Sequence, residues 1–167
     1  MSDTSREDAL ATLTDLIADH HVAMLTTIDD DGAPWSRPMG LQQPGDFDGT
    51  LYFLTRDHSE KLAHIARNPK VSVAFATPSD QEYVTMAGTA TVENDRQTIR
   101  DLWSPPARAW FPDGPDDPTI RLIRVDVDRA EYWDSPASVV VHAIGLAKAA
   151  LTGEPADDLG ENEKVEL

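Results

Sequence analysis

The chain of 167 residues contains no cysteine, which excludes a disulfide framework, a thiolate metal site and a cysteine nucleophile. Basic residues are scarce: 14 Lys and Arg stand against 30 Asp and Glu, for a formal net charge of -16. A surface so negative repels nucleic acid and anionic lipid, so no nucleic-acid or membrane partner is expected. No stretch approaches the roughly 20 apolar residues of a membrane span. The opening residues, MSDTSREDAL, carry acids where a secretory signal would carry bases, and a cytoplasmic location is the expectation. Also missing are G-x-G-x-x-G, a Walker-type lysine loop and a G-x-S-x-G elbow, which argues against those dinucleotide, triphosphate and hydrolase sites. His20 and His21 adjoin, while His58, His64 and His142 are dispersed without metal-ligand spacing. The histidines read as surface or structural groups, and no metal is expected.

What remains is enough for one domain with a proper core. Leu10, Leu13, Leu16 and Ile17 recur at helical spacing, which predicts a helix over 5–19. HVAMLTTID (21–29), the turn signal DDDG (29–32) and APWSRPMGLQ (33–42) predict a hairpin. Pro38 marks its second strand as an edge or a bulge, because proline cannot donate to the ladder. Strands are further expected at 50–55, 70–77, 81–94, with a bend at Gly88, and 119–133. Helices are expected after Ser59, from Asp95 to Trp103 with Asn94 or Asp95 as cap, and over 137–151. The expected domain spans 1–151. An acidic tail, 152–167, is expected to be mobile or loosely laid on the surface. Strands in succession with occasional helices, rather than a βαβ alternation, favour a mainly β fold: an antiparallel six-stranded barrel with flanking helices.

Chemistry concentrates at one junction. TRDHSEK (55–61) joins the apolar run LYFL to a helical segment. Ser59 is placed to cap that helix. The same helix start offers free N–H groups and a positive dipole end, which suits a phosphate. Lys61 in the first turn is misplaced for the helix but well placed for an anion. Arg56 reads as a solvated loop cation. Arg37, mid-strand, either faces water or offers its planar fork to a phosphate. Cap and anion site both remain open on these residues.

In order and spacing, SRPM (36–39), YFLT (52–55), SEK (59–61) and NPKVSV (68–73) resemble the flavin-binding split-barrel superfamily of pyridoxamine 5'-phosphate oxidase. QEYVTMAGTATV (81–92), LWSPPARAWFPDGPDDP (102–118), VDVDRAEYWDSP (125–136) and GENEKVEL (160–167) are similar to its general stress protein 26 branch. The resemblance implies an FMN-binding split barrel, and a homodimer with the cofactor at the subunit interface. It implies that Arg37 and Lys61 pair with the FMN phosphate and that Ser59 adds its hydroxyl and helix-start amides. Thr55 would bind phosphate or ribityl. Phe53 and Leu54 would line the flavin with their backbone, Pro38 and Met39 would face the ring, and Trp110 and Trp133 would wall it from the neighbouring subunit.

Departures accompany the match. Glu60 stands where the oxidase has a basic residue, Gln42 where it has a lysine, and Tyr83 where a glutamine approaches the flavin. ENEKVEL lacks the oxidase's substrate-gripping arginine and histidine. FMN retention is therefore expected and oxidation of pyridoxamine phosphate is not. The leading functional expectation is flavin-dependent redox chemistry on a small molecule, with His58 and Tyr83 as candidate proton donors. The alternative is a flavin-binding stress protein without turnover. Heme and the deazaflavin F420 rank below both, for want of an axial histidine on the mapped strands and because the acidic surface repels a polyanionic tail.

Overall fold

Residues 22–28, VAMLTTI, bury every second side chain: Ala23, Leu25 and Thr27 point inward, and Val22 and Met24 outward. That is the two-residue period of a half-buried strand. In the computed structural model, which describes residues 3–43, 45–134 and 161–167, this segment is β1 (Val22–Ile28). It follows helix α1 (Asp3–Ile17) and pairs antiparallel with β2 (Pro34–Gly40). Asp29 makes the turn between them. Its carboxylate accepts from the amides of Asp31 (2.9 Å) and Ala33 (2.8 Å) and from the Trp35 indole (2.6 Å). These bonds, led by that from Ala33, hold the Asp29 carboxyl below the usual carboxylate range. Gly32 supplies the left-handed conformation at φ 82°.

The remaining elements are β3 (Thr50–Arg56), α2 (Glu60–Arg67), β4 (Lys70–Thr77), β5 (Glu82–Glu93), α3 (Arg96–Asp101), a 3-10 turn over Pro105–Ala109, β6 (Ile120–Asp134) and β7 (Glu161–Glu166). The antiparallel sheet runs β2-β1-β4-β5-β6-β3. β2 is therefore an edge, as Pro38 predicts. The sheet curls until its two end strands meet at a single bridge, Leu41 to Phe53, joined by a 2.9 Å bond from the Gln42 amide to the Tyr52 carbonyl. The outcome is the expected antiparallel barrel with flanking helices, closed at a seam between β2 and β3.

Two features give the barrel its shape. Gly88 sits at a register shift between β5 and β6, where a Cβ would lie 2.2 Å from the Asp126 carbonyl oxygen. Only glycine allows so close an approach. β6 is long enough to pair with β3 over its first half and with β7 over its second. Residues 161–166 are thus a strand with Val165 buried, not a loosely laid tail. The ladder along β6 outweighs the repulsion among their acids. The helix expected over 137–151 lies outside the described residues.

Leu25, Phe53, Val73, Met86, Ile123 and Val125 fill the barrel, with Leu13 and Ile17 of α1 and Ile65 of α2 packed against them. A second cluster of Leu54, Ile99, Ala107, Phe111, Ile120 and Leu122 lies on the other face of β3 and β6. It seats α3, capped by Asp95 through the amides of Gln97 and Thr98, and the segment that follows. No helix among the described residues is long and apolar enough to cross a membrane.

Candidate functional site

The seam between β2 and β3 opens into a cleft of about 400 Å³. Pro38, Met39 and Gly40 of β2 form one side, and Leu54, Thr55 and Arg56 of β3 the other. His58 and Ser59 close one end, while Ala107, Trp110 and Phe111 overhang it. The lining is mostly apolar with a few polar groups, the usual makeup of a small-molecule site.

Two cations, neither of which lines the cleft itself, stand beside its α2 end. Lys61 Nζ donates to Thr55 Oγ1 at 3.1 Å and to Ser59 Oγ. Arg37 Nη1 donates to Thr27 Oγ1 at 2.6 Å. Among the described residues neither forms an ion pair with a carboxylate, unlike Arg56, Arg67, Arg100, Arg121 and Arg124. Burial pushes the Lys61 ammonium below its ordinary value, and neighbouring Arg37 pushes it further; Glu60 opposes both. Burial lowers the Arg37 guanidinium in the same direction. Two half-desolvated like charges side by side are unfavourable unless an anion joins them.

Ser59 occupies the N-cap position of α2, but its side chain makes no capping bond. The expected cap is corrected here, because the Ser59 hydroxyl is taken by Lys61. Among the described residues no side chain bonds the amides of Glu60 and Lys61, which leaves these donors and the helix dipole for a ligand. A polar rim of Thr55, Ser59, Lys61 and Arg37 at the end of an apolar cleft fits a phosphate carried on a flat aromatic body.

Arg56 is not a solvated cation. Its guanidinium bonds Asp117 (3.2 Å), Thr119 (3.1 Å) and the Trp110 carbonyl (2.9 Å), and lies 5.3 Å from the centre of the Phe111 ring. It fastens the 105–118 segment to the end of β3, so that Trp110, 76% exposed, overhangs the cleft of its own chain. The Asp117 carboxyl is held below the usual range by the Thr119 hydroxyl, then the Thr119 amide, with Arg56 adding to the effect. A depressed carboxyl stabilises the fold above its unfolded pKa of about 3.9, and that contribution is lost as pH falls through the folded value. The overhang is therefore expected to loosen in acid before the barrel unfolds, seen as tryptophan emission shifting red ahead of far-ultraviolet loss. Asp117→Asn should show that shift already at neutral pH; coincident transitions in both proteins would contradict the latch.

Other assigned residues are dispersed. Phe53 is fully buried in the barrel, so only its backbone is near the seam. Tyr83 and Trp133 are cross-strand partners on β5 and β6, two and three strands beyond β1, and neither lines this chain's cleft. They share the outer face of the sheet with Val22 and Met24. Sequence reading missed Thr27, His64 and Gln42. Gln42 is buried, lines the cleft and accepts from the Ser104 hydroxyl at 2.7 Å. His58 lines the cleft from the loop after β3, paired with Asp57 at 3.3 Å.

The fold defines a split barrel with an apolar cleft at its seam. The chain belongs to the family described as "Pyridoxamine 5'-phosphate oxidase like", whose sequence model matches residues 8–157. It is 28% identical to Protein bli-3 of Neurospora crassa, over 86% of this chain and 73% of that protein. It is 28% identical to General stress protein 26 of Bacillus subtilis, over 73% of this chain and 86% of that protein. Among solved structures it is similar to the general stress FMN/FAD binding protein from Xanthomonas citri, with a TM-score of 0.68 and 26% identity, over 80% of this chain and 93% of that one.

Proposed function

We propose that the protein binds FMN at the barrel seam as a homodimer and supports flavin-dependent redox chemistry on a small molecule. The observation that carries this reading is a pair of half-buried cations with no carboxylate partner among the described residues, Arg37 and Lys61, beside a helix start without a side-chain cap, Lys61 being bonded to Thr55 and Ser59 of the apolar cleft. The flavin class is supported by the similar Xanthomonas citri protein, which is described as FMN/FAD binding. In this reading Arg37, Lys61, Ser59 and Thr55 hold the phosphate. Pro38, Met39, Leu54 and Trp110 border the ring. The bound flavin would accept and pass on reducing equivalents, while the protein supplies orientation and excludes water.

FMN is favoured over FAD by charge. Arg37 and Lys61 suit one phosphate group, and among the described residues no further cation without a carboxylate partner lines the cleft. A homodimer is favoured by the outer face of the sheet, where Val22, Met24, Tyr83 and Trp133 are exposed. The face is continuous with the cleft, because Val22 and Pro38 belong to both. A second copy seated there would bring Tyr83 and Trp133 towards the site they do not reach in their own chain. Activity on pyridoxamine phosphate is not part of the reading, since ENEKVEL pairs with β6 and carries neither arginine nor histidine.

The non-catalytic reading retains one point in its favour: among the described residues, His58 and Arg56 are the ionisable side chains lining the cleft. Purification followed by flavin identification and titration tests the main reading. One FMN per chain in a dimer is expected, with FAD bound more weakly. Absence of flavin binding would refute the reading. A loaded protein that NADH or NADPH bleaches no faster than free FMN would move it to the non-catalytic alternative.

A further inference from the structure

Along β1 the inward positions are Ala23, Leu25 and Thr27, and Thr27 is fully buried. A valine would fill that space without a polar atom to satisfy, so the hydroxyl is costly unless bonded on the spot. It has two partners. Arg37 Nη1 lies 2.6 Å from Thr27 Oγ1, and His64 Nδ1 lies 3.0 Å from the same oxygen. A guanidinium can only donate, so the Thr27 oxygen accepts from Arg37. The one hydroxyl proton is then directed to His64 Nδ1, which receives it when the ring carries its own proton on Nε2. A hydroxyl that donates is a better acceptor, so the two bonds reinforce each other.

The chain Arg37–Thr27–His64 joins β2, β1 and α2. Lys61 and His64 are three residues apart on α2, hence neighbours on one helix face. A single helix thereby delivers Lys61 directly and sets Arg37 at second hand. We infer that Thr27 and His64 are positioning residues for the flavin phosphate: His64, through Thr27, fixes the Arg37 guanidinium so that its remaining N–H donors are preorganised for the anion. This rests on the flavin reading above and adds to it the residues that orient one of its two cations.

The role predicts a loss confined to the phosphate. In fluorescence titrations of the full chain, Thr27→Val should weaken FMN by about tenfold or more, the usual scale for a hydrogen bond to a charged group, and His64→Leu, which removes a neutral bond, by about threefold to tenfold. Riboflavin, which lacks the phosphate, should keep its affinity in both variants. His64→Asn, whose amide can offer an acceptor near the Nδ1 position, should recover most of the FMN affinity. Equal losses for FMN and riboflavin would mean general disturbance of the cleft and would overturn the inference. So would unchanged FMN binding in either variant, or His64→Asn no better than His64→Leu. Wild-type protein that binds riboflavin as tightly as FMN would remove the phosphate seat itself, a failure visible before any variant is made.

Discussion

Lys61→Glu is expected to abolish FMN binding while leaving the fold intact or slightly more stable. The substitution replaces a donor to the phosphate by a carboxylate beside a dianion. It forfeits a charge-assisted bond and adds like-charge repulsion, together on the order of a thousandfold in affinity. The stability effect runs the other way. Lys61 carries its charge half-buried next to Arg37, both of which disfavour the protonated form. A glutamate would satisfy Arg37 instead. Binding would thus be lost with a melting temperature equal to or above that of the flavin-free wild type, the pattern of a site kept ready for a ligand at the cost of stability. Lys61→Met should fall between the two in affinity. Undiminished FMN binding by Lys61→Glu would place the phosphate elsewhere.

The same ammonium sets a pH dependence. Its proton is lost below the ordinary lysine range because burial and Arg37 favour the neutral amine. A phosphate dianion favours the protonated form. FMN affinity should therefore be level from the second ionisation of the phosphate, at about pH 6, up to the lowered pKa, fall as pH rises through it, and do so earlier than the ~10.4 of an unperturbed lysine. The flavin-free fold gains stability over that interval, since the unfolded chain holds the proton longer. Affinity that instead rises with pH there would contradict the assignment.

Met24→Glu is expected to give a monomer. Met24 is 41% exposed in the protomer, on the outer face opposite Pro38, and does not line the cleft. A glutamate there faces water in the monomer and costs the isolated fold little. In a dimer sealed over this face, an unpaired carboxylate would be buried, a penalty of about 3 kcal/mol or more and a hundredfold or more in dissociation constant. Light scattering should report the monomer mass. FMN affinity should fall with it if the proposed dimer brings Tyr83 and Trp133, which do not line their own chain's cleft, to the site of the second copy. A variant that remains dimeric with full flavin affinity would exclude this face as the interface.

Much of the fold is legible along the chain because its signals are short-ranged. The two-residue period of VAMLTTI, the turn DDDG and the edge-marking Pro38 act within a few residues, and the hairpin formed as they predict. Gly88 announced a bend and sits at the register shift. The TRDHSEK junction marked a strand-to-helix handover, with a cap and an anion site both open on residue types alone. There the legibility ends, since a side chain's partner is set by what the folded chain brings to it. Ser59 has the sequence of a cap, yet its hydroxyl is claimed by an ammonium two residues away. Arg56 has the sequence of a loop cation, yet it meets a carboxylate 61 residues further on.

Thr27 and His64 carry no local pattern that marks them. They become a relay to Arg37 only when β1, β2 and α2 converge. The acidic C-terminal segment lacks the hydrophobicity of a buried strand, and β6 supplies the hydrogen bonds that order residues 161–166. Composition and periodicity thus determined the class of fold, the succession of strands along the chain up to β6 and the residue types at one junction. Tertiary structure alone decided which cations were left without counter-ions, because pairing depends on distances in space that local sequence does not encode.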